Sequence, residues 1–171
     1  KESVQNATAE TCLPSKISYG HISRLISYSE NGGGLDYLFL PNMVSNNHQN
    51  SSMKTNYNCP LVQGLPYIAN GQFNFKQANY DFETLTYPFH FYRRSELIKD
   101  LKKLGNHIGF GDSEIINAFE AGEKAQRTFE GNCHKAGEEE IKNLTSSQPG
   151  IVIISRAYNG CDSGLNLEVP K

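Results

Sequence analysis

Helical and strand-like patterns alternate along this sequence, which predicts an α/β domain: Rossmann-like layers on a largely parallel sheet. Three observations carry that prediction. Apolar residues recur at helical spacing in three segments, beginning near Leu13, Leu97 and Ile115. Short apolar runs at 35–41 and 85–92 fall between the first two of those segments, and one at 151–154 follows the third. Glycine or proline clusters mark the boundaries. A single domain over 1–171 is expected, with sub-lobes at 10–92 and 93–171.

Residues 1–10 are polar and read as frayed. Thr11-Cys12-Leu13-Pro14 then opens a helix, since proline suits a first turn where its missing N–H costs nothing. Ile17, Ile22, Leu25 and Ile26 line one side, and Asn31-Gly32-Gly33-Gly34 stops it. The run Leu35 to Pro41 reads as a buried strand. Residues 42–58, rich in Asn, Ser and Gln, read as a long surface loop. Leu61 to Ala69 reads as a short helix broken at Pro66, and Leu85 to Tyr92 as a strand that Pro88 assigns to an edge. Ser95 is the expected cap of a helix ended by Gly105. Asp112 or Ser113 opens a longer helix, whose stripe runs from Ile115 through Phe129 and Cys133 to Leu144. Ile151-Val152-Ile153-Ile154 is the clearest strand by pattern, with a glycine-containing loop at 155–162 behind it.

Composition narrows the function classes. The 171 residues are 37% hydrophobic and 20% charged, enough for one core. A net charge of -2 supplies no basic surplus for nucleic acid or anionic membranes. No run approaches the roughly 18 apolar residues of a membrane span, and the N-terminus lacks a signal-peptide plan. A cytoplasmic protein is expected. The chain starts at Lys1 and stops at Lys171 without a cap or tail, so an excerpt of a larger protein is expected, lacking an N-terminal strand.

The cysteines at 12, 59, 133 and 161 match neither paired zinc spacings nor a compact disulfide framework. Cys12 stands at a helix N-terminus, where negative charge is favoured and a thiolate is chemically reasonable; position alone favours an inert thiol. Cys59, between Asn58 and Pro60, has a ligand-like context that ordinary turns share. Cys133 on the long helix's stripe reads as a packed core thiol, and the adjacent His134 points about 100° away from it. Cys161 follows a strand's C-terminal end, where α/β sheets place their ligands. His21 reads as a helix-packing histidine, and spacing assigns no partner to Asp36, His48, His90 or His107. No nucleophile elbow, Walker loop, GxGxxG or HExxH occurs, so no enzyme class emerges.

Several segments occur together in order: Glu10-Thr11-Cys12-Leu13-Pro14-Ser15-Lys16, Gly20-His21-Ile22, Asp36 through Pro41, and Asn58-Cys59-Pro60 through Tyr67. With Ser155-Arg156-Ala157-Tyr158-Asn159 and the ending Asn166 to Pro170, this order resembles the domain of unknown function in activases of the 2-hydroxyglutaryl-CoA dehydratase type. Ser155 and Ala157 depart from the family's Gly and Pro. More distantly, the domain is similar to dehydratase and benzoyl-CoA reductase subunits. That resemblance implies an iron–sulfur-associated role in ATP-driven, low-potential electron transfer in anaerobic metabolism. It implies a 4Fe-4S cluster with metal ligands Cys12 and Cys59 and a third at Cys161. It also implies Lys16 and Arg156 as groups offsetting the cluster's charge. Partners would be other modules of the parent activase and a dehydratase-like protein. A non-catalytic module that docks the activase to that partner is the alternative expectation.

Overall fold

The computed structural model describes residues 2–5, 7, 10–47, 56–145, 147 and 149–169. The chain divides into two units, Lys1–Phe119 and Glu120–Lys171.

The first unit is built on a parallel ribbon. Strand β1 (Tyr37–Phe39) pairs parallel with β3 (Glu83–Leu85), and β2 (Asn42–Ser45) pairs parallel with β4 (Pro88–His90). Between the two pairs the ladder continues: Leu40 N donates to Leu85 O and Asn42 N to Tyr87 O, both at 2.9 Å. The two small sheets are therefore successive halves of one ribbon. Pro41 and Pro88, which lack an N–H, fall at the junction. The expected buried strand is there, although only Leu38 of its three residues is buried, while Tyr37 and Phe39 are exposed. Residues 85–92 hold the last residue of β3 and the whole of β4 rather than one strand.

Helix α2 (Leu13–Glu30) precedes β1, α3 (Pro60–Phe73) crosses from β2 to β3, and α4 (Arg94–His107) follows β4. Parallel strands need such crossovers, so β2–α3–β3 is a βαβ unit and the small α/β fold predicted from sequence is the one observed. Tyr19, Ile22 and Ile26 of α2 meet Leu38, Leu40 and Ala69 in a buried cluster, flanked by Leu65, Ile68 and Phe73. A second buried contact sets Leu97 of α4 and Phe89 of β4 beside one another's elements.

Several expectations are corrected by packing. Residues 2–5 form a short helix, α1 (Glu2–Gln5), against α2, and Ser3 occupies the space that a side chain at Gly20 would need. The 42–58 segment is not all loop: its start is β2, and Asn46 N donates to Asn56 O while Asn58 N donates to Val44 O, closing the loop on its own stem. His48 lies outside the described residues. Helix α3 runs unbroken through Pro66. The ~3 kcal/mol penalty of an interior proline is offset by burying Ala69 and packing the half-buried Leu65 and Ile68 against the core. Helix α4 starts after Arg93 rather than at Ser95 and runs past Gly105, which is buried under the Ile115 side chain. Gly105 is thus a packing glycine, and Gly109, at φ +94, makes the turn. His21 is exposed, not packed.

Helix α5 (Asp112–Asn143) has no buried residue. Its start belongs to the first unit, where Glu114 accepts from Gly111 N at 2.9 Å and Arg94 lies 4.9 Å over the Phe119 ring. In the second unit the expected core stripe is solvent-facing: Phe129, Cys133 and Ile141 are all exposed. The segment 151–154 forms no strand, with Ile154 94% exposed. A strand exists only through its ladder, and among the described residues nothing pairs with this run. Helix α6 (Ala157–Cys161) follows. No helix among the described residues is long and apolar enough to cross a membrane.

Candidate functional site

Cys12 and Cys59 occupy equivalent local positions. Each is the N-cap residue of a helix, Cys12 of α2 and Cys59 of α3, and each helix carries proline within its first two positions. Proline there donates nothing and presets the helical φ. Neither sulfur caps a helix N–H, and neither first turn holds an acidic residue. The positive ends of helices of 18 and 14 residues therefore face two exposed thiols. The Cys12 Sγ lies 3.3 Å from Ser15 Oγ, which is buried. Burial first, and the charge of a Cys12 thiolate second, push the Tyr19 phenol above the ordinary tyrosine value.

Cys59 is held through its neighbour. Asn58 Nδ2 donates to Met43 O at 2.8 Å, and its Oδ1 accepts from Asn46 Nδ2 at 2.8 Å. Its carbonyl accepts from Gln63 Nε2 at 2.6 Å. These bonds fix the entry to α3 against Met43 of β2 and Asn46 just after it. Asn58→Ala removes both amide contacts and leaves the Met43 carbonyl without that donor. It is expected to lower stability by about 1–3 kcal/mol and to change the alkylation rate of Cys59. A urea midpoint and an iodoacetamide rate both matching wild type would contradict that role.

Buried polar atoms without partners lie close to both cysteines in sequence. Among the described residues they are Thr11 Oγ1, beside Cys12, Asn56 Nδ2, three residues before Cys59, and Asn42 Oδ1 in β2. Such orphaned groups are rare in native structures. Two of the three are donors, the kind of group that hydrogen-bonds cluster sulfurs.

The other expected site residues are placed differently. The Lys16 ammonium pairs with Glu10 at 2.6 Å, which holds that carboxyl below its usual range. Cys161 ends α6 and Arg156 caps its start, both exposed and both in the second unit. Among the described residues no group of three or more His, Cys, Asp or Glu could hold a metal ion. Two thiols do not by themselves make a complete metal site.

Two features escaped the sequence reading. His107 Nε2 lies 2.8 Å from Glu83 Oε1, a pairing 24 residues apart that no local spacing encodes. An open cleft of about 830 Å³ lies against the start of the ribbon and includes no cysteine in its lining. The aromatic density of 73–82 was its visible signal.

Comparison with curated proteins and with solved structures gave no match. Residues 1–171 do match one family over their full length, so the chain belongs to the CoA enzyme activase uncharacterised domain family, and its role is tied to CoA-enzyme activation.

Proposed function

We propose that this domain serves CoA-enzyme activation by presenting the Cys12 and Cys59 thiolates as two ligands of a 4Fe-4S cluster in low-potential electron transfer to a 2-hydroxyglutaryl-CoA-type dehydratase. The carrying observation is the paired N-cap arrangement: two exposed thiols at the positive ends of two helices, each free of first-turn acids. Connectivity supports bringing them to one edge. Helix α3 leaves the C-terminal end of β2, and α2 returns into β1 through a short connection, so both helices run back along the ribbon. Their N-termini then share the strand C-terminal edge, where open α/β sheets bind ligands.

The cluster, when bound, supplies one-electron transfer. The chain's own residues do the holding. Pro14 and Pro60 remove N–H donors from the first turns, Asn58 fixes the backbone at Cys59, and Thr11 and Asn56 offer unpaired polar groups nearby. Lys16 is matched to Glu10, so its charge-offsetting role toward the cluster is weaker than its sequence position implies. The remaining ligands come from other modules of the parent activase.

Anaerobic reconstitution of the full-length parent activase with iron and sulfide tests this reading. The double variant C12A/C59A is expected to lose the domain's share of bound iron and its visible absorption. Wild-type iron content and spectrum in that variant would end the proposal. The rival reading, a docking module for the dehydratase, is favoured by the exposed apolar run 151–154. Under that reading the same variant retains full partner binding and full iron.

A further inference from the structure

The first unit also carries an open cleft at the start of the ribbon. At about 830 Å³ it falls within the size range of ligand pockets. It is walled by the beginnings of β1 and β3, at Asp36, Tyr37 and Glu83, and by the later turns of α3, at Pro66, Tyr67 and Asn70. Nothing in the cysteine reading bears on it.

Aromatic rings give the cleft its character. Tyr80 and Phe82 stack at 5.0 Å with planes 11° apart, and Phe75 lies within 6.4 Å of both. The Tyr80 hydroxyl donates to Phe73 O at 3.2 Å, and the Tyr67 hydroxyl accepts from the buried Asn42 amide at 3.1 Å. Tyr37 and Tyr67 are exposed at the lining. The rings are therefore held in place before any ligand arrives, which lowers the ordering cost of binding.

Charge decides what that ligand is. Three carboxylates, Asp36, Asp81 and Glu83, line the cleft against one ammonium, Lys76. Glu83 Oε1 already lies 2.8 Å from His107 Nε2. Among the described residues Asp36 and Asp81 enter no ion pair. Polyphosphates, CoA and nucleotides included, are repelled by this balance. Aromatic faces carry negative potential and attract cations, guanidinium most often among side chains. An open cleft with hydrogen-bonding Asn70, Thr84 and Thr86 along its wall also suits a side chain carried on a main chain.

We propose that this cleft docks an arginine-bearing segment of a partner polypeptide, its guanidinium over the aromatic faces and between the carboxylates of Asp36 and Asp81. The test titrates the full chain with capped tetra-arginine, capped tetra-glutamate and free argininamide, followed by NMR. Tetra-arginine is expected to bind saturably, to shift the ring signals of Tyr37, Tyr67 and Phe82, and to weaken as salt rises. D36N/D81N is expected to weaken it about fivefold, the scale of two exposed charge contacts. Both aspartates are exposed, so the core is untouched. Tyr37→Leu, at an exposed ring of the lining, is expected to weaken it through the lost ring alone. Equal binding of tetra-glutamate, or affinities within twofold of wild type in both variants, would overturn the proposal. So would argininamide saturating as tightly as the peptide, which would make this a small-cation site.

Discussion

Tyr19→Ala is expected to remove about 3–5 kcal/mol of stability, the range for deleting a buried aromatic side chain. Against a typical total of about 5–15 kcal/mol, that leaves the first unit marginal or unfolded. Tyr19 is 1% exposed and sits among Ile22, Leu38, Leu40 and Ala69, where α2, α3 and the ribbon all meet. No neighbour can close the resulting void without moving a helix. Two turns upstream on α2 is Cys12, so the same substitution is expected to loosen the candidate site. Tyr19→Phe keeps the ring and is expected to cost little at neutral pH. It separates from wild type only in alkali. The Tyr19 phenol is raised above the ordinary tyrosine value, chiefly by burial and then by Cys12. A raised acid group stabilises fully below its unfolded value of about 10, and that contribution is lost as pH rises through the folded value. Wild type is therefore expected to lose stability above about pH 10, and Tyr19→Phe is expected to lose less. Urea midpoints at pH 7 and in alkali measure both; parallel pH curves would refute the burial of the phenol.

Leu97→Ala comes next in size, at about 2–5 kcal/mol, whereas Ile141→Ala is expected to change stability by less than about 0.5 kcal/mol. In sequence the two residues look alike, since each belongs to an apolar stripe at helical spacing. Leu97 is 2% exposed where α4 packs on β4; Ile141 is 71% exposed on α5. Parallel denaturation of the two variants measures the contrast. Equal losses would mean that α5 has a buried face.

Elements whose signals are local were legible from sequence. Proline in the first turn and Asn31 with the glycines after it delimit α2, because capping chemistry involves only neighbouring residues. The strand at 37–39 and the alternation that predicts parallel pairing read correctly for the same reason. Cys12 and Cys59 at helix starts were legible too, though not their matched N-cap geometry. The reading failed where the outcome depends on a distant partner. The run 151–154 has a strand's composition and no ladder to join. Pro66 has a helix breaker's chemistry and a core that holds the helix regardless. The cleft draws its walls from β1, α3 and the residues before β3, and no stretch of sequence shows their convergence.

By itself the sequence determined both ends of α2, the α/β class and the motif order that marks the family, since each depends on short-range chemistry or on residue order. Only the tertiary structure decided which apolar stripes are buried, that the strands form one proline-broken ribbon, and that Lys16 is already neutralised by Glu10. It also decided that aromatic rings and carboxylates share one cleft. The reason is physical: burial and pairing are properties of two surfaces, and a periodic pattern specifies one of them.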